Sequence, residues 1–234
     1  MKVEIWSDIA CPWCYIGKRR FEQAAAQFEH GKDIEVSWHS FELQPDAPQV
    51  REESLVTALS RSKGMKPEQA AAMVAHVAEV GRGDGLTLDF DRVRGANTFL
   101  AHQLIHLAAA EGLQDAAKER LLRAYFTEGA TVSDLETLVR LAGEIGLDPD
   151  RARSALDKGE FADAVRADER EARQLGVRGV PFFVIDRRYA ISGAQPAEAF
   201  VGALRKAWSE SHEAPAEGTA EGAACSADGC DVPS

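Results

Sequence analysis

The sequence predicts an α/β fold in which a β-α-β unit and a β-β-α unit are separated by an all-helical insertion. Three observations predict it. Short runs in which β-branched residues alternate with polar ones lie near the start of the chain. From about residue 51 to 175 the pattern changes to one helical segment after another, rich in Ala, Leu, Glu and Arg. Two further β-rich runs and one amphipathic helix then follow. The expected organisation is 1–48 for the N-terminal half of the α/β unit and 49–175 for the helical insertion. Residues 176–208 complete the unit, and 209–234 form a flexible acidic tail.

Element by element, Val3 and Ile5 alternate with Lys2 and Glu4 to give a first strand over 2–7. Gly17, Phe21, Ala24, Ala25 and Phe28 then recur at helical spacing as far as the stop signal His30-Gly31. In "DIEVSWHSFEL", Ile34, Val36 and Trp38 alternate with Glu35, Ser37 and His39, a second strand closed by Pro45 and Pro48. Strand, helix, strand implies parallel pairing through a right-handed crossover. In the insertion, helices are expected near 52–63, 67–80, 94–110, 114–128, 133–145, 149–157 and 160–175. Pro67 and Pro149 sit at helix starts, and Gly81 to Gly85 marks an open loop. "GVRGVPFFVID" and "RYAISG", divided by Asp186-Arg187, read as an antiparallel hairpin. Phe200, Leu204 and Trp208 then share one face of a last helix. The final 26 residues carry no large apolar side chain except Val232, too little to offset the entropy of ordering them.

At 234 residues, one core with an insertion is expected rather than two full domains. A net charge of −11, from 27 basic and 38 acidic residues, argues against nucleic acid and anionic membrane surfaces as partners. No apolar run reaches the length of a membrane span. The start, Met1-Lys2-Val3-Glu4-Ile5, lacks the features of a secretory signal, so a cytoplasmic protein is expected. The four cysteines fall into two close pairs, Cys11/Cys14 and Cys225/Cys230. A structural disulfide framework would space them differently, so the pairs point to chemistry or to metal.

Cys11-Pro12-Trp13-Cys14 leaves the first strand and enters the first helix. That placement puts Cys11 at a helix N-terminus, where free N–H groups and the helix dipole favour a thiolate. Cys14, one turn in, falls on the inward stripe and suits the role of resolving thiol. Trp13 is expected at the exposed helix start, offering an apolar contact to substrate. An isolated Cys-x-x-Cys also occurs in zinc knuckles; a preceding strand and following helix within a βαβ unit point to thioredoxin-like redox chemistry. In Gly179-Val180-Pro181-Phe182 a proline opens a core strand, where it removes a ladder bond. Two readings stand: a cis bond presenting the Val180 backbone to the dithiol, or a trans proline beginning an edge strand.

The stretches "SDIACPWCYIGKRRFE", "SWHSFELQPDAP", "NTFLAHQLIHLA" and "GVRGVPFFVIDRRYAISGAQP" resemble the DsbA-like thioredoxin-fold family, in particular its cytoplasmic FrnE-type branch. The resemblance implies a thioredoxin fold interrupted by a helical domain, a cis-proline at Pro181, and thiol–disulfide oxidoreductase or disulfide isomerase activity. It further implies that Asn97, Thr98 and His102 border the catalytic cleft. The expected substrate-facing set is therefore Pro12, Trp13, Val180, Pro181, Asn97, Thr98 and His102 around catalytic Cys11 and Cys14. The substrates would be proteins or peptides with disulfides, favoured over small thiols by an apolar lip including Trp13 and Phe182. No cofactor is expected beyond glutathione as a co-substrate, and a thiol such as glutathione or thioredoxin would serve as reductant. Where the best-known members of the family carry a histidine between the cysteines, this chain has Trp13, which cannot hold positive charge. A pair less oxidising than a periplasmic oxidant is expected.

His102 and His106 stand four apart, as metal ligands can, yet no carboxylate or cysteine pattern accompanies them. No metal is expected there: one histidine would line the cleft and the other pack or meet solvent. For Cys225 and Cys230 three readings stand: an auxiliary pair exchanging electrons with Cys11/Cys14, two spectator thiols, or part of a four-cysteine zinc site. Two rival functions remain: a glutathione-dependent isomerase of the hydroxychromene-carboxylate type, and a zinc-binding redox-sensing module.

Overall fold

The fold is described from a computed structural model for residues 1–51 and 53–212. Its elements are β1 (Lys2–Ser7), α1 (Pro12–Gln27), β2 (Glu35–Ser40), α2 (Leu55–Lys63), α3 (Pro67–Gly83), α4 (Phe99–Ala110) and α5 (Gln114–Arg123). They continue with α6 (Leu135–Glu144), α7 (Pro149–Asp157), α8 (Ala162–Gln174), β3 (Phe182–Ile185), β4 (Tyr189–Ser192) and α9 (Ala197–His212). The four strands form one sheet in the order β2-β1-β3-β4, with β1 parallel to β2 and the other two pairings antiparallel. Val3 faces Val36 on one side and Ile185 on the other, and Ile5 likewise lies between Trp38 and Phe183.

β1 is an inner strand, so its alternation sorts side chains between two covered faces. On one face, Phe183 meets Phe21 of α1 and Phe200 of α9, with ring centroids 5.7 and 4.7 Å away. On the other, Trp6 packs with Ala172 and Val177 at the end of α8 and with Val184 of β3. The Trp6 indole donates to the Asp168 carbonyl, 3.2 Å away. Helices α4, α5 and α8 thus fix the insertion to the sheet.

β2 is an edge strand, and the insertion occupies its free backbone groups. The Gln114 amide accepts from Trp38 N at 3.0 Å and donates to Trp38 O at 2.8 Å, while Asp168 accepts from Ser40 N at 2.7 Å.

Several boundaries differ from the sequence reading, each for a local reason. α3 runs on to Gly83 because Gly81 is needed inside the helix; a Cβ there would lie 2.7 Å from Leu88 Cδ1. α4 begins at Phe99 rather than near 94, where the Asn97 side chain accepts from Phe99 N at 2.9 Å. α2 begins at Leu55, with the Ser54 hydroxyl accepting from Thr57 N. α5 stops at Arg123, and one wider π turn, Ala124–Glu128, carries the chain to Gly129, whose φ is 70°. β3 is only four residues long because Pro181 supplies no N–H to the ladder. Among the described residues, no helix is long and apolar enough to cross a membrane.

Candidate active site

β1 ends at Ser7, and Asp8 turns the chain into α1. Its carboxylate accepts from Ala10 N at 3.3 Å and from Leu43 N at 2.8 Å, and Cys11 N reaches the Asp8 carbonyl at 3.4 Å. Cys11 then takes the N-cap position of α1 with an extended backbone, and Pro12 fills the first turn, where a missing N–H costs nothing. Cys14 lies one turn further in, its N–H bonded to the Cys11 carbonyl at 3.0 Å.

Both sulfurs are free thiols and both are buried, Cys11 at 4% exposure and Cys14 at 1%. Cys11 is less open than its helix-start position suggests, but it alone of the pair lines the cavity described below. The Val180–Pro181 peptide bond is cis, and the Cys11 sulfur lies 3.5 Å from the Val180 carbonyl. The loop approaches so closely because residue 17 is glycine: a Cβ there would lie 2.9 Å from the Pro181 ring.

The charge on the dithiol is distributed unevenly. Burial raises the Cys14 thiol, but the Cys11 S–H, the Lys118 charge and the Ser7 hydroxyl outweigh it and hold Cys14 below the ordinary thiol range. Donating to Cys14, and burial with it, pushes Cys11 well above that range. The helix N-terminus alone suggests the opposite assignment; the groups behind Cys14 make the difference.

A cavity of about 560 Å³ opens beside the dithiol, between α1 and the α2–α3 pair. Cys11, Pro12 and Trp13 form one end, and Leu55, Met73, Val77, Phe90 and Phe126 supply much of the apolar wall. The π turn after α5 brings both Tyr125 and Phe126 into this wall. Arg51, Glu53, Lys63 and His76 join Asp8 as its basic, acidic and imidazole members.

The three residues of the insertion expected at the cleft separate. Thr98 lines the cavity. Asn97 does not: its amide donates to the Pro45 and Ala47 carbonyls at 3.0 and 3.4 Å, so it pins the loop after β2 and the start of α4. His102 is fully buried behind the wall, its Nε2 3.3 Å from Asp8 Oδ1. Burial pushes the imidazole pKa down, whereas the Asp8 carboxyl, although burial raises it, is held low by His102, Leu43 N and Thr98. His106 points elsewhere, its Nε2 3.0 Å from Asp168 and 3.1 Å from Ser40 Oγ, so the two histidines share no centre. Phe182 packs with Trp6 and Val184 and does not join Trp13 at the cavity. His39, Asp168 and Glu171 offer ligand atoms within 4.8 Å of one another, but Glu171 is engaged by Arg187 at 2.6 Å. Cys225 and Cys230 lie outside the described residues.

Asp8, Ser7 and Lys118 were not singled out from the sequence. Asp8 stands three residues before Cys11 in the same motif, a signal that could have been read. Lys118 lies in the charged stretch "QDAAKER" and carries no signal of burial.

A dithiol at the start of the first helix, facing a cis-proline loop across a β-α-β and β-β-α sheet, is the architecture of a thioredoxin-fold protein. The chain belongs to the DSBA-like thioredoxin domain family, which matches residues 2–205, and so to a family of thiol–disulfide oxidoreductases. It is similar to the probable DsbA oxidoreductase SCO1869 of Streptomyces coelicolor, at 44% identity over the whole of both chains with a TM-score of 0.86. It is also similar to the uncharacterized protein YwbO of Bacillus subtilis (strain 168), at 28% identity over 86% of this chain and 94% of that one. The cytosolic disulfide reductase DsbM of Pseudomonas aeruginosa, solved with glutathione, shares the fold at 19% identity and a TM-score of 0.61, over 88% of this chain and 98% of DsbM.

Proposed function

We propose that the chain exchanges disulfides with protein or peptide substrates in the cytoplasm, as a reductase or isomerase rather than a strong oxidant. The observation that carries this reading is a Cys-x-x-Cys pair, beside a cis-proline loop, of which only Cys11 reaches the apolar cavity. Access makes Cys11 the attacking sulfur: a proton shift across the Cys11–Cys14 hydrogen bond moves the thiolate to the open side. Cys11 then attacks a substrate disulfide, one substrate sulfur leaves as a thiolate, and Cys14 displaces the other from the mixed disulfide. The substrate gains two electrons, the dithiol becomes a disulfide, and a small thiol such as glutathione or thioredoxin restores it. Pro12, Trp13 and Thr98 meet the substrate at the cavity, and the Val180–Pro181 backbone aligns it. Asn97 and His102 act behind them as positioning residues.

The test is the Cys14→Ser variant, given a disulfide-bonded protein substrate. Accumulation of a mixed disulfide through Cys11, with turnover lost, is the expected result. Full activity in that variant would move the chain to the single-sulfur, glutathione-dependent isomerase reading. Stoichiometric zinc in protein purified without chelator would favour the sensing module. Truncation after His212 that leaves exchange kinetics unchanged would make Cys225 and Cys230 spectators.

A further inference from the structure

Two buried lysines lie against the Trp38 ring, Lys18 at 5.9 Å and Lys118 at 5.5 Å from its centroid. Their surroundings differ sharply. Lys18 meets three carboxylates, those of Glu22, Asp115 and Glu119. Lys118, at 0% exposure, forms no salt bridge with any described carboxylate, and its one hydrogen bond goes to the Ser7 carbonyl at 3.4 Å. An ammonium left unpaired in an apolar interior costs several kcal/mol. Beside it, the Ser7 hydroxyl is also fully buried and has no hydrogen-bond partner among the described residues. The group that both of them face is the Cys14 thiol.

We propose that Ser7 and Lys118 form a thiolate-holding site behind Cys14, so that the helical insertion, through α5, supplies the charge that governs the resolving sulfur. This rests on the disulfide-exchange reading above and deepens it. In the resolving step Cys14 attacks Cys11 Sγ as its proton passes to the departing sulfur; the Cys11–Cys14 bond forms, the Cys11–substrate bond breaks, and the substrate leaves as a thiol. The Ser7 hydroxyl donates to the Cys14 thiolate as it forms, and the Lys118 ammonium balances its charge. The other ionisable groups facing Lys118 are Cys11 and Lys18 of α1, Asp8 after β1 and His102 of α4. Only Asp8 among them is a carboxylate, and it is engaged by His102 and Leu43 N.

The experiment uses the full chain, reduced, and reads two quantities: the pH titration of thiolate absorbance and the equilibrium constant for exchange with glutathione. Lys118→Met is expected to raise the first thiol ionisation by about one pH unit. It should also make the dithiol about ten-fold more reducing, equivalent to about 30 mV. Ser7→Ala should move both readouts the same way by less, and it serves if Lys118→Met does not fold. If the folded variants titrate as the parent does, Lys118 and Ser7 are packing residues and the inference fails. A parent chain that does not equilibrate with glutathione or with any protein disulfide sinks the functional reading instead, while the thiolate titration still decides the site.

Discussion

Gly17 of α1 lies against Pro181: a Cβ at position 17 would stand 2.9 Å from Cγ of the proline ring and 3.4 Å from Phe183 Cζ. The dithiol helix and the cis-proline loop therefore meet where only a hydrogen fits. Gly17→Ala must push the loop away from Cys11, because a proline ring cannot swing aside as a long side chain can. We expect a loss of about 1–3 kcal/mol in denaturant unfolding, in the range for overpacking. The rate of exchange with a protein disulfide should fall with it. A fully active Gly17→Ala protein would show that the Val180 carbonyl need not sit beside Cys11.

Asp168 anchors the insertion to the sheet. Its carboxylate is within 2.9 Å of His39 Nδ1, 3.0 Å of His106 Nε2 and 2.7 Å of Ser40 N. Burial raises its pKa, but these partners outweigh burial and hold it far below the usual carboxylate range. A depressed folded-state pKa means stabilisation that is complete above the unfolded value of about 4 and is lost as pH falls below it. Asp168→Ala should cost about 3–5 kcal/mol near neutral pH, as expected when one member of a buried polar network is removed. The gap between parent and variant should narrow between about pH 4 and pH 2. A gap independent of pH would mean that packing, not the carboxylate, is what matters there.

Lys118 separates stability from function. Burial lowers its pKa to about 8. In the unfolded chain it titrates near 10.4, so folding carries a penalty below pH 8 that fades as pH approaches 10. Lys118→Met in the oxidised protein, where Cys14 carries no charge, should match or exceed the parent's stability at pH 7. Its advantage should shrink toward pH 10 in denaturation curves recorded across that range. Destabilisation at pH 7 would indicate that the ammonium has a stronger partner than the Ser7 carbonyl.

Ala58 of α2 lines the cavity without belonging to the dithiol. Ala58→Trp would fill part of the 560 Å³ beside Cys11. Turnover of a bulky protein disulfide should drop about ten-fold in kcat/KM, the scale on which pocket shape discriminates. Exchange with glutathione, which needs less room, should change little. Equal losses for both substrates would show that protein substrates do not enter this cavity.

The sheet was readable because its signals are local: Val3 and Ile5 in β1, Val36 and Trp38 in β2, and the break at Pro181 all follow from short-range alternation and backbone chemistry. Cys11 and Cys14 were readable because helix position carries chemical meaning. Lys118 was not, since a lysine in an acidic, helical stretch is solvated in nearly every such sequence and only tertiary packing buries this one. His102 was placed at the cleft by resemblance, yet its place behind Asp8 depends on how α4 lies across the end of β1, a distance relation that no local pattern encodes. The π turn at Ala124–Glu128 escaped for a similar reason: its composition continues a helix, and the widened turn is held by Ala130 N bonding back to the Ala124 carbonyl at 2.8 Å.

The pairing of Val3 with Ile185 has a consequence for how the protein comes into being. On a ribosome, the dithiol and its helix emerge before the insertion, but the strand that pairs with β1 on its other side arrives only after the whole insertion has been synthesised. Contacts so distant along the chain form slowly. During that interval two reactive sulfurs stand on an unfinished scaffold, without the Val180 carbonyl that later meets Cys11. A nascent chain of this kind depends on its surroundings to keep those sulfurs reduced until β3 pairs with β1.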